Sequence, residues 1–183
     1  MASQTKTSTS ELAWDHAVLD IPERGIKEQR EATPAERAHI ACALELAGCA
    51  ALKAEYTVKP SLDGRYRVSG TFAAEVTQAC VVTLEPVDST IEDGFDATFW
   101  PSEQVPAAEG GAITLDDEPE PEAIMDGQIA VGRIVFECLA AAIDPFPRKP
   151  GAELEQRTSG PPGGEASKPE SPFAVLAKIK PKT

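Results

Sequence analysis

Six side chains are of the types that most often act alone in chemistry: Cys42, Cys49, Cys80 and Cys138, with His16 and His39. No two of the cysteines form a Cys-x-x-Cys pair, and the histidines are not spaced to complete a zinc site. Cys42 and Cys138 fall on or beside apolar helix faces, and Cys80 continues the inward side of a strand. Small buried thiols are therefore expected, with no metal and no cofactor. His39 stands mid-helix near Arg37, with no serine or cysteine set in a nucleophile elbow. Asp116-Asp117-Glu118, Glu120 and Glu122 supply carboxylates, but a Pro-rich run lacks the rigid pocket that separates carboxylate pKa values. Gly110-Gly111 and Gly163-Gly164 lack the lysine and the strand-to-helix setting of a phosphate loop. A protein without catalytic activity is the expectation. A small hydrolase built on the acidic loop is the weakest alternative.

Charge carries more information than any motif of this kind. The chain of 183 residues has 17 Lys and Arg against 30 Asp and Glu, a formal charge of −13. Between Arg67 and Arg133 no basic residue occurs, while Glu75, Glu85, Asp88, Glu92, Asp93, Asp96 and further acids fill the interval. From Arg148 onward the balance reverses. Nucleic-acid affinity comes mostly from Lys and Arg, so an acidic body argues against a basic RNA-binding groove. It favours docking of a basic partner, because complementary potentials speed encounter and fix orientation. The one basic cluster on the body is Lys53, Lys59, Arg65 and Arg67, the candidate for direct RNA contact.

The elements that position these residues read as α+β. Residues 1–12 form a polar lead expected to be disordered, without the apolar block of a secretory signal, so cytoplasm is the expected compartment. A short strand is expected over Ala13–Ile21. Thr33-Pro34-Ala35-Glu36 combines a capping hydroxyl, a proline at the first helical position and a capping glutamate, predicting a helix from Pro34 to Ala47 ended by Gly48. Leu52, Ala54, Tyr56 and Val58 alternate with polar residues as a half-buried strand requires. Asp63-Gly64 turns the chain into a partner strand carrying Tyr66, Val68, Phe72, Val76 and Cys80 inward. A third strand after Pro86 places Val87, Ile91, Phe95 and Phe99 on one side.

Residues 101–122 read as an acidic surface loop in which only Ala112–Leu115 has strand character. Asp126 is expected to cap a helix from Gly127 to Ile143, stopped by Asp144-Pro145. The expected architecture is a twisted, mainly antiparallel sheet or partial barrel with an N-terminal and a C-terminal helix packed on it. One domain spans 13–150, and 151–183 form a flexible Pro/Gly-rich basic tail ending in the amphipathic Phe173–Lys180. No apolar stretch reaches the roughly 20 residues of a membrane helix.

Two blocks carry a family resemblance. Cys80-Val-Val-Thr-Leu84-Glu85-Pro86-Val87 resembles the Cys-x-x-Cys-Leu-x-Pro segment of the YceD family of large ribosomal RNA accumulation proteins. Gln128–Arg148 resembles that family's Asp-Leu-Gly-x-Leu-Val-x-Glu helix and Pro-rich exit, with Gly132, Glu137, Pro145 and Pro147 matching. Ser171–Lys178 is similar to tails of the alphaproteobacterial branch, and the likeness spans roughly Trp14 to Gly151 plus that tail. The family's second cysteine is Thr83 here, and its helix aspartate is Ala130. The resemblance implies a non-enzymatic bacterial factor that supports accumulation of 23S ribosomal RNA. The partner it implies is a ribosomal protein or a pre-ribosomal large-subunit particle. Three readings stay open: an acidic face holding a basic ribosomal protein, direct RNA contact through Lys53–Arg67, and an acidic protein-binding module unrelated to ribosomes.

Overall fold

The computed structural model describes residues 12–106 and 120–153. The polar lead, most of the acidic loop with Ala112–Leu115, and the tail with Phe173–Lys180 lie outside the described residues. The body is α+β. In chain order its elements are β1 (Asp15–Ala17), β2 (Ile26–Glu31), α1 (Pro34–Ala43), β3 (Gly48–Pro60), β4 (Tyr66–Ala79), β5 (Pro86–Pro101), β6 (Glu122–Ile124), β7 (Gln128–Ala130) and α2 (Val131–Ala142).

Alternation builds the central sheet. Leu52, Ala54, Tyr56 and Val58 of β3 and Val68, Phe72, Ala74 and Val76 of β4 are buried, while their odd-numbered neighbours face outward. Asp63 and Gly64 both adopt positive φ, 59° and 73°, and turn β3 into β4. The register sets Tyr56 opposite Gly70, and Gly70 opposite Phe95. A side chain at Gly70 would lie 2.5 Å from Cβ of Tyr56, so glycine lets the Tyr56 side chain cross this strand. The sheet order is β2-β3-β4-β5-β6, antiparallel except for the β5–β6 pair, and the sheet stays open. A separate two-stranded sheet pairs β1 with β7. Both helices pack on the main sheet, α1 against β3 and α2 against β5 and β4.

Several local expectations are corrected. The cap of α1 forms as expected: Thr33 Oγ1 accepts the Glu36 N–H, and Glu36 Oε2 accepts the Thr33 N–H at 2.8 Å. The helix nevertheless ends at Ala43. Glu45 takes φ +53°, and the Leu46 N–H closes onto the Ala41 carbonyl at 2.8 Å, the left-handed termination normally given to glycine. Gly48 instead opens β3. Ile40 is the buried residue of α1, and Cys42, two residues or about 200° farther round the helix, is exposed rather than buried.

The second helix starts four residues later than expected. Asp126 and Gly127 have φ of 52° and 68° and form a two-residue hairpin turn between Met125 and Gln128. An Asp-Gly pair satisfies this turn as readily as a helix start. Strand β7 follows, and α2 begins at Val131 without a side-chain cap. The strand expected over Ala13–Ile21 shortens to β1 and a single 3-10 turn at Val18–Asp20.

Candidate functional site

The two blocks that carry the resemblance meet in space. Cys80 to Glu85 form the tight connection from β4 to β5, closed by Cys80 N–H to Glu85 O (2.8 Å) and Leu84 N–H to Cys80 O (2.9 Å). Across it runs the exit from α2. The Val81 N–H donates to Pro147 O at 2.9 Å, and the Lys149 N–H donates to Cys80 Sγ at 3.4 Å. Lys149 Nζ also pairs with Glu85 at 2.9 Å. Gln78 Nε2 donates to the Asp144 carbonyl at 2.9 Å, fastening the start of the same exit. Pro86 opens β5, Pro147 is buried, and Pro145 follows Asp144, whose carboxylate accepts the Phe146 N–H at 2.9 Å.

Cys80 is fully buried, yet its sulfur is a concentrated hydrogen-bond acceptor. Besides Lys149, the backbone N–H groups of Val82 and Thr83 point at it, at 3.4 and 3.5 Å. The Lys149 amide, the Thr83 hydroxyl and amide, and the Val82 amide together lower its pKa from 9.0 to about 6. Donors aimed at a thiolate favour the charged form. Thr83, standing where the family pattern has a cysteine, thus serves as a donor to Cys80. The arrangement is a buried sulfur that accepts three backbone N–H groups. Among the described residues no group of three or more His, Cys, Asp and Glu is placed to hold a metal.

Two other motif residues lie elsewhere on α2. Gly132 is buried in its first turn, where an added Cβ would stand 2.3 Å from the Leu12 carbonyl oxygen. The glycine therefore lets the N-terminal segment cross the helix. Glu137 is exposed and bonds Arg133 at 3.4 Å, one turn away, and Arg133 also pairs with Glu122. These contacts tie α2 to β6.

The four basic residues proposed for RNA contact do not form one patch. Lys53 lies six residues along β3 from Lys59, roughly 20 Å for an extended strand, and pairs with Glu31 at 3.4 Å. Arg67 makes a two-pronged contact with Asp96 at 2.8 and 3.0 Å. Arg65 stacks 3.8 Å over the Trp100 ring and donates to Gln104 at 3.0 Å. Lys59, Arg65 and Arg67 share one end of the sheet, while Asp88, Glu92 and Asp96 stand exposed along β5.

His16 is placed by β1 against the main sheet. Its Nε2 lies 2.9 Å from the Tyr56 hydroxyl, and the rings meet edge to face at 5.7 Å. Burial, then the Arg30 guanidinium, lowers its pKa below 6.5. This contact joins the small sheet to the large one. His39, on α1, is exposed.

Residues 68–180 match the family model described as large ribosomal RNA subunit accumulation protein YceD. The chain belongs to the YceD family. The match begins in β4 and runs through both blocks, so it includes the junction of Cys80 with Lys149 and the whole of α2. No curated protein and no solved structure matches the chain. The family description ties this YceD member to accumulation of large-subunit ribosomal RNA. No helix among the described residues is long and apolar enough to cross a membrane.

Proposed function

We propose that this YceD member is a non-catalytic, cytoplasmic factor in large-subunit assembly that holds a Lys/Arg-rich ribosomal protein on its acidic body. The family match supports the link to ribosomal RNA. The observation that carries the partner class is charge: no Lys or Arg stands between Arg67 and Arg133, and β5 within that interval exposes Asp88, Glu92 and Asp93, with Asp96 paired to Arg67. Such a surface attracts a basic protein and repels bare phosphates. The basic protein's own cations would then meet the RNA. Direct RNA contact through Lys53, Lys59, Arg65 and Arg67 has less support, because Glu31 and Asp96 already pair with Lys53 and Arg67.

Affinity purification of the tagged protein from its host at low salt, with and without ribonuclease, tests this. Ribosomal proteins that persist after ribonuclease and wash off with salt are expected. Recovery of large-subunit RNA that needs no ribosomal protein would reject the reading.

A further inference from the structure

We infer that Val81, Leu84 and Phe146 are the apolar anchor of the partner surface, taking a Lys/Arg-rich protein segment that carries its own exposed apolar side chain. This deepens the assembly reading above and rests on it. Six large apolar side chains are exposed among the described residues, and three of them lie on the two short segments that the Cys80–Lys149 junction binds together. Val81 is 46% exposed, Leu84 79% and Phe146 70%. An exposed apolar side chain contributes little to its own fold, and a local concentration of them marks a contact surface.

Leu84 adds an independent sign. It adopts φ +60°, a conformation that asparagine or glycine would take with less strain. The fold gains almost nothing from the leucine side chain, which is nearly all in solvent. Strain held where the side chain serves no internal packing points to use outside the chain. The frame is also pre-ordered: the Val81–Pro147 and Cys80–Lys149 bonds and the Glu85–Lys149 pair fix the two segments before any partner arrives. Pre-ordering lowers the entropy lost on binding.

Charge selects the occupant. Glu85 and Lys149 pair with each other, which leaves exposed Asp88 and Asp144 against Arg148 among the charged residues nearest the anchor along the chain. An apolar centre with a net acidic rim complements a segment that presents an apolar residue flanked by Lys or Arg. A phosphate chain would meet the same rim as repulsion.

The test uses the full chain, immobilised, and salt-extracted proteins of the large ribosomal subunit as probe, with 23S RNA fragments offered separately. The variant is Leu84→Asn together with Phe146→Ser. Asparagine suits the left-handed backbone, so the variant is expected to melt no lower than the wild type. It should bind the retained basic protein about tenfold or more weakly. Equal binding by wild type and variant overturns the anchor and leaves the basic-protein reading standing. A wild type that retains none of the basic proteins, or that retains RNA instead, overturns both.

Discussion

Lys149 donates its backbone N–H to Cys80 Sγ at 3.4 Å across a separation of 69 residues, and this bond joins the β4–β5 connection to the exit of α2. The sulfur has further donors in Val82 and Thr83, so the contact is charge-assisted once the thiol ionises.

A pH dependence of stability follows from that sulfur. Its pKa in the folded state is about 6, against 9.0 for an ordinary thiol. The unfolded chain therefore binds more protons than the folded one between these values, and stability rises with pH across that window. The contribution is complete above about 9 and is lost as pH falls through about 6. Denaturant midpoints measured from pH 6 to 9 should climb for the wild type, and the Cys80→Ala profile should be flatter. Parallel profiles would show that the thiolate is not stabilised.

His16 acts in the adjoining acidic range. Its folded pKa lies below 6.5, held down by burial and then by Arg30. As pH falls below 6.5 the unfolded chain takes up a proton that the folded chain resists, so stability is lost on acidification. Replacing His16 with Gln should flatten that limb. Tyr56→Phe, which removes the hydroxyl at 2.9 Å from Nε2, should cost about 1 kcal/mol at neutral pH.

Gly132→Ala is expected to destabilise the fold more than a surface glycine change would. The new methyl would stand 2.3 Å from the Leu12 oxygen and 2.8 Å from Leu12 Cβ, and backbone cannot give way cheaply there. A loss of about 1–3 kcal/mol is expected, with faster proteolysis before Trp14 as the N-terminal segment lifts. An unchanged melting temperature would show that the crossing is loose.

The residues that revealed the fold from sequence are those whose burial follows a simple period. Leu52 to Val58 and Tyr66 to Val76 show it, as does the third strand through Phe95 and Phe99. Strand β2 was invisible because Ile26 is its one large apolar residue and the rest is charged or polar, as an edge strand permits. Strands β6 and β7 have three residues each, too few to display any alternation. The motif residues were legible one by one, but their meeting was not. Nothing near Cys80 in sequence announces Lys149, and a main-chain donor leaves no trace in residue type. The end of α1 has no signal in residue type, because Glu45, not a glycine, takes the left-handed position.

That position gives a gain-of-stability prediction. Glu45→Gly removes the steric cost of φ +53° while adding the entropy cost of glycine in the unfolded chain. The first outweighs the second, so stabilisation of about 0.5–1 kcal/mol is expected. Glu45→Pro, locked to negative φ, should instead disrupt the α1–β3 connection. Thermal melts of both variants decide the point, and a Gly variant less stable than the wild type would show that the Glu45 side chain has a compensating role.

Removing the four cations Lys53, Lys59, Arg65 and Arg67 separates the two assembly readings. The formal charge of the chain would move from −13 to −17, since four positive charges are lost. Exposed ion pairs such as Arg67–Asp96 and Lys53–Glu31 contribute little stability, so the variant with alanine at all four positions should fold. If the acidic body holds a basic protein, that variant binds the salt-extracted large-subunit proteins as tightly as the wild type or more tightly at low salt, because the repulsion from Lys and Arg is gone and Asp96 and Glu31 are freed to attract. Binding measured against ionic strength should steepen with the added negative charge. If RNA is the direct contact, the same variant loses its particles from the cell extract at every salt concentration. Loss of binding to both protein and particle would assign the interface to the β3–β4 hairpin and away from the acidic strand β5.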